Sequence, residues 1–222
     1  TGETACYAIH CWEGKWLDLI AALSHVMSDE LNVWIDIFAV CQWPGNDADL
    51  YFAQVVREAK FVALISPHLD SVANIVMADV HSGNITALPA EAYQRCSFMR
   101  LWCLAELHVA LEHSVPVCFL VGEADELGRF TPKSEMLLNL GTLLDVADAR
   151  TTVASDRNKA LRNNLLEAVE EEDFNCHCRG AVYGADLCMH ESLLLRYVGG
   201  HEDALSLIPA DRRDQALCAA AA

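Results

Sequence analysis

A chain of 222 residues, 53% hydrophobic and 21% charged, has the length for one sizeable core with a small extension and is too apolar for extended disorder. Fifteen Lys plus Arg against 32 Asp plus Glu give a formal net charge of −17, which repels nucleic-acid backbones and anionic membrane surfaces. No run reaches the roughly 18 apolar residues that a membrane span requires.

Thr4 to His10 is a short apolar run that reads as a strand, and Trp16 to Val26 places Trp16, Leu19, Ile20, Leu23 and Val26 at helical spacing. Asn32 to Val40, NVWIDIFAV, is almost entirely apolar and rich in β-branched and aromatic residues. That pattern predicts a strand buried on both faces, with Asp36 as a structural, hydrogen-bonding carboxylate near its end. CQWPGNDAD then breaks the pattern with Pro44, Gly45 and Asn46. Leu50 to Ala59 has helical spacing, and FVALIS, Phe61 to Ser66, predicts a third strand.

The segment from Pro67 to Phe98 is long and irregular, a length that usually carries function or partial helix. A helix from about Phe98 to His113 follows, then VPVCFLVG, Val115 to Gly122, as a fourth strand. Beyond it GTLLDV is the candidate fifth strand, and a helix capped by Ser155 or Asp156 is expected through Val169. Glu170 to Asp173 reads as a solvated helix end, and a last helix is expected over Ala185 to Val198. The expectation is a doubly wound α/β domain over residues 1–150, a mostly parallel five-stranded sheet with helices on both faces, followed by a helical extension over 151–222.

Ten cysteines spread through these elements read as buried free thiols rather than a disulfide framework. Cys176, His177, Cys178, Cys188 and His190 form the densest cluster of metal-ligating types. C-x-C followed by C-x-H lacks the paired spacing of common zinc modules, so no metal is expected there. The opening TGETACYAIH has neither a basic leader nor an apolar signal core, so the expected setting is cytoplasmic. Neither GxGxxG nor GxxxxGK(S/T) is present, which removes support for a dehydrogenase-type or P-loop nucleotide site.

In doubly wound sheets ligands bind outside the carboxyl ends of the strands, which directs attention to His10–Gly14, Cys41–Asp49 and the loop after Ser66. One charged residue in the leucine-rich helix LWCLAELHVA stands out: Glu106 lies one turn after Trp102, on the same side of the helix. The spacing leaves both beside the sheet-facing stripe of Leu101, Leu104, Ala105, His108 and Leu111, lining a groove or meeting solvent.

These residues together resemble the TIR (Toll/interleukin-1 receptor) domain family, in particular plant, protist and algal TIR-like domains. ACYAIHCW sits where that family's first strand and box lie, VWIDIF resembles its second strand with an aspartate, and REAKFVALIS and LWCLAEL resemble plant segments, the last mirroring a WCL-x-EL motif. The first box differs, carrying His10, Cys11 and Trp12, and the segment before Trp102 is longer than usual. The resemblance spans Thr4 to Gly122 and implies cleavage of the nicotinamide–ribose bond of NAD, with NAD as substrate and no cofactor.

By the motif match Glu106 is the implied catalytic carboxylate. Trp102 is placed to stack on the ribose or nicotinamide ring, and Trp12 and Trp43 to flank the same mouth with His10 and Ser66. Arg95 and Arg100 are the candidates for the diphosphate. The alternatives are a non-catalytic TIR-like module that self-associates or recruits partners in signalling, and a related nucleoside-processing hydrolase or transferase acting on another N-glycosidic bond.

Overall fold

The computed structural model describes residues 4–27, 31–39, 52–75, 79, 82, 88–133, 136–151 and 169–189. A five-stranded sheet in the order β2-β1-β3-β4-β5 organises them, built from β1 (Cys6–Ile9), β2 (Val33–Ile35), β3 (Phe61–Pro67), β4 (Val117–Ala124) and β5 (Phe130–Pro132). The first four strands pair in parallel, with Tyr7 opposite Trp34 and Val62, and Ala63 opposite Cys118. β5 runs antiparallel to β4. This is the doubly wound α/β fold expected from the alternating elements, in the 2-1-3-4-5 order.

Alternation along the strands sorts side chains between two cores. Cys6 and Ala8 of β1, Phe61, Ala63 and Ile65 of β3, and Cys118 and Leu120 of β4 face α1 (Trp16–Val26), meeting Leu19, Ala22 and Leu23. Tyr7, Ile9, Val62, Leu64, Val117, Phe119 and Val121 face the opposite way. They pack with α3 (Phe52–Glu58), α6 (Leu101–Glu112), α7 (Leu137–Leu143) and α8 (Glu171–Met189). The short helices α2 (Asp36–Ala39), α4 (Asp70–Ala73) and α5 (Ala90–Arg95), with a 3-10 turn at Ser97–Met99, fill the connections.

Ten of the twelve residues of α6 are buried, because its apolar residues go all round the cylinder and neighbours cover every side. Phe174, Cys178, Ala181, Val182 and Ala185 of α8 belong to the same core, so the described helix of the extension is packed on the domain. Its first turn carries exposed Glu171, Glu172 and Asp173, acidic residues where the helix dipole favours them.

Two expectations for strands are corrected. The run NVWIDIFAV is a strand only over Val33–Ile35, at the edge of the sheet, after which Asp36 turns the chain into α2 by accepting the Ile37 N–H at 2.7 Å. Ile37 and Phe38 are exposed, so the apolarity there belongs to a surface and not to a doubly covered strand. GTLLDV is no strand: Gly141–Leu143 ends α7, where bare Gly141 lets Tyr183 approach so closely that a Cβ would stand 2.8 Å from its ring. The fifth strand is Phe130–Pro132, whose backbone crosses Gly122 so tightly that a Cβ there would clash with the Thr131 carbonyl oxygen.

The helix expected from Ser155 to Val169 lies almost entirely outside the described residues, as do residues 190–198 of the last expected helix and everything after them. No helix among the described residues is long and apolar enough to cross a membrane.

Candidate functional site at the carboxyl edge of the sheet

The chain leaves β1 toward α1 on one face and leaves β3 toward α4 on the other, so a crevice opens between the ends of β1 and β3, where strand order reverses. An open cleft of about 440 Å³, including space continuous with solvent, lies there, lined among others by His10, Trp12, Lys15, Trp16, Ile37 and Pro67. Gly14 closes the turn that shapes it, its N–H donating to the Cys11 carbonyl at 2.9 Å where a Cβ would clash. Asp18, buried in the first turn of α1, accepts the Ala124 N–H at 2.9 Å and fixes α1 against the end of β4.

Glu106 lies on the other side of β1. It is only 9% exposed, so the helix glutamate expected at a groove or in solvent is instead interior. The closed packing of α6 accounts for this. The Tyr7 hydroxyl donates to Oε1 at 2.9 Å, and the Tyr7 ring is stacked on Trp34 with centroids 4.5 Å apart. Among the described residues no Lys, Arg or His pairs with the Glu106 carboxyl. Burial, and after it the nearby Asp36 charge, hold its pKa well above the usual carboxylate range, while the Tyr7 bond opposes both. Trp102, a turn earlier, is half-buried and meets Phe52 edge-on at 6.0 Å.

Asp36 stands between the two halves of this edge. Trp12 Nε1–H donates to its Oδ2, the Ile37 N–H to its Oδ1, and His10 Nδ1 sits 3.6 Å from Oδ1. The His10 side chain is 7% exposed, and its Nδ1 has no hydrogen-bond partner among the described residues. Burial lowers its pKa, with Asp36 pulling the other way. Cys103 Sγ–H donates to the His10 carbonyl at 3.3 Å, which docks the first turn of α6 on the end of β1.

His10, Trp12, Trp102 and Glu106 therefore gather around one end of β1 and β2. Other expected residues do not. Ser66 is wholly buried, its hydroxyl donating to Cys96 Sγ at 3.4 Å, because β3 is covered on both faces. Arg95 is paired with Glu91 on its own helix α5. Arg100 is buried and donates to the Tyr93 carbonyl at 3.1 Å, so it serves the fold at the entry to α6. Trp43 lies outside the described residues.

Lys15, Trp16 and Tyr7 are the residues that sequence reasoning missed. Strand alternation carried a signal for Tyr7, which shares a face with Ile9 toward α6. Cys11 and Cys103 are poor nucleophiles, their thiols pushed up by burial. The seven cysteines whose side chains are described are free, and all but Cys176 are buried. Among the described residues no group of three or more His, Cys, Asp or Glu is disposed to hold a metal ion. No family model, curated protein or solved structure matches the chain.

Proposed function

We propose that the chain cleaves the nicotinamide–ribose bond of NAD, with Glu106 as the carboxylate that faces the developing positive charge. The observation that carries the reading is a buried carboxyl group with no cation beside it among the described residues and with Asp36 adding like charge. An ionised carboxylate in that position costs on the order of several kcal/mol, and a positively charged ligand relieves the cost. The nicotinamide ribose of NAD is such a ligand. Its bond breaks with the electron pair leaving on neutral nicotinamide, so the leaving group needs no acid and positive charge moves to the ribose. The approaching cation also draws the Glu106 pKa down, so binding and ionisation assist each other.

Trp102, half-buried one turn before Glu106, would serve as a stacking surface for the ring or ribose, an interaction of roughly 0.5–2 kcal/mol with a cation. The resemblance to TIR-like domains supports the same assignment. A cytoplasmic setting, where NAD is abundant and thiols stay reduced, fits the free cysteines. Nicotinamide release by the purified chain at high concentration is the test. Glu106→Gln lowers turnover by about 100-fold or more. Equal turnover in both proteins overturns the role of Glu106.

A second reading, a TIR-like module that associates with itself in signalling, is favoured by a different observation. Trp12, Trp16, Leu17, Ile20, Ile37 and Phe38 are all exposed on the α1 side, a concentration of large apolar groups that marks interaction surfaces. Absence of nicotinamide release under forced clustering, together with self-association, selects this reading.

A further inference from the structure

We infer that His10, oriented by Asp36, is the proton acceptor of the cleft: Nδ1 is turned to the Asp36 carboxylate, which leaves Nε2 to take a proton from a water or hydroxyl held between β1 and β3. The inference deepens the proposed NAD cleavage and rests on it for the identity of the reaction.

A buried ring nitrogen without a partner costs about 1–3 kcal/mol, and His10 Nδ1 has none among the described residues while lying 3.6 Å from a carboxylate oxygen. Asp36 is itself immobilised, its two oxygens already accepting from Trp12 Nε1 and the Ile37 N–H. A fixed carboxylate beside Nδ1 favours the proton on Nδ1 and presents Nε2 as the acceptor, the arrangement by which a carboxylate orients a histidine base. Contacts of this kind are often long before substrate binds and shorten when it does.

Among the described residues the charged and titratable groups near His10 include Asp36, Lys15 and Asp18 in or beside the cleft, the thiols of Cys11 and Cys103 with Arg100 and Glu13 acting on them, and the Glu106 carboxyl beyond Asp36. Neither thiol competes for the role: Cys11 Sγ–H is committed to the Gln94 carbonyl at 2.6 Å and Cys103 Sγ–H to the His10 carbonyl. Burial keeps the imidazole neutral at pH 7, the form that accepts a proton.

In the hydrolysis, the bond from ribose C1′ to nicotinamide breaks with its electron pair on nicotinamide. Water forms the new C1′–O bond, and its proton passes to Nε2 and then to solvent. Glu106 stabilises the cation; His10 activates the water. Asp36 is the positioning residue.

The decisive measurement is the tautomer of His10 in the full chain labelled with nitrogen-15 at histidine, read from long-range proton–nitrogen spectra between pH 5 and 8. The expected result is the Nδ1–H form, shifting toward the ratio of a free histidine in Asp36→Ala. With NAD, His10→Gln lowers kcat about 10²- to 10⁴-fold with little change in KM and abolishes the acid limb of the pH profile. Asp36→Asn lowers kcat less and moves that limb to lower pH.

An Nε2–H tautomer in the unaltered chain overturns the inference, and this reading needs no variant to fold. An unchanged kcat in His10→Gln, with Glu106→Gln inactive, overturns it while leaving the proposed reaction standing. If the unaltered chain releases no nicotinamide, the proposed reaction falls, and the tautomer alone decides the His10–Asp36 pair.

Discussion

On one face of the sheet α3, α6, α7 and α8 close over Tyr7, Leu64 and Phe119 in a core that reaches Val182, whereas on the other α1 covers Ala8 and Ala63 and leaves Trp16, Leu17 and Ile20 in water. The two faces therefore depart from ordinary packing with opposite signs. On the closed face an informative residue is a buried carboxyl, Glu106; on the open face it is an exposed aromatic, Phe38, 74% exposed. A buried carboxyl without a cation opposes folding, and an exposed cluster of aromatics opposes solubility.

The largest expected effect tests the closure itself. Leu104 is fully buried in α6, and Leu104→Ala costs about 2–5 kcal/mol by denaturant unfolding. Leu17→Ala on the open face changes stability by no more than about 0.5 kcal/mol. Similar losses from both would erase the contrast between the faces.

Glu106→Gln comes next and has the opposite sign. The unfolded chain titrates Glu106 near 4.5 and the folded chain higher. Between those values the folded state holds a proton the unfolded state has lost, so stability is full below about 4.5 and declines as pH rises through the folded value. The amide removes that decline. Above neutral pH the variant melts higher than the unaltered chain, each 1 kcal/mol appearing as about 2–4 °C. A variant that loses both turnover and stability assigns Glu106 to the fold instead.

How much of this was legible in the sequence varies by element. The helix over Trp16–Val26 and the strand beginning at Phe61 were readable because their apolar spacing is the spacing of the face they bury. The end of β2 was not, since the apolar run continues through Ile37 and Phe38 for a reason outside the sheet. β5 has only three residues, too few for a period, and Gly141 reads as the start of a strand until the Tyr183 ring is seen against it at a helix end. Glu106 and Trp102 were picked out by their spacing, but the burial of Glu106 was not, because it follows from helices distant in sequence closing around α6. The same distance hid the ties of Ser66 and Arg100, whose partners lie in the 3-10 and α5 region.

A smaller effect concerns the acid side. His108, 1% exposed, lies against Phe174 at 4.6 Å and His177 at 5.5 Å, with the Glu112 carboxylate at 3.4 Å. Burial lowers the pKa of His10, His108 and His177 alike. Below about 6.5 the unfolded chain takes up protons that the folded chain resists, so stability is lost as pH falls. His108→Leu makes the melting temperature fall less between pH 7 and 5, by about 2–4 °C for each 1 kcal/mol recovered. An unchanged acid slope places the sensitivity at His10 or elsewhere.

The smallest effect on folding carries the sharpest test of the open face. Phe38 meets the Trp16 ring edge-on at 5.3 Å, and this pair joins the end of β2 to the start of α1 across the surface. Both rings are exposed, so Phe38→Ser removes little buried area and shifts stability by no more than about 0.5 kcal/mol. Aromatic side chains at the centre of an interface nonetheless dominate its binding energy, often by 2 kcal/mol or more, about 30-fold in affinity. If the open face is where copies of the chain meet, Phe38→Ser weakens self-association in sedimentation at high concentration by about that factor while the melting temperature barely moves. Association that survives the substitution removes the open face from the interface and leaves its aromatics to the cleft that Trp12 and Trp16 line.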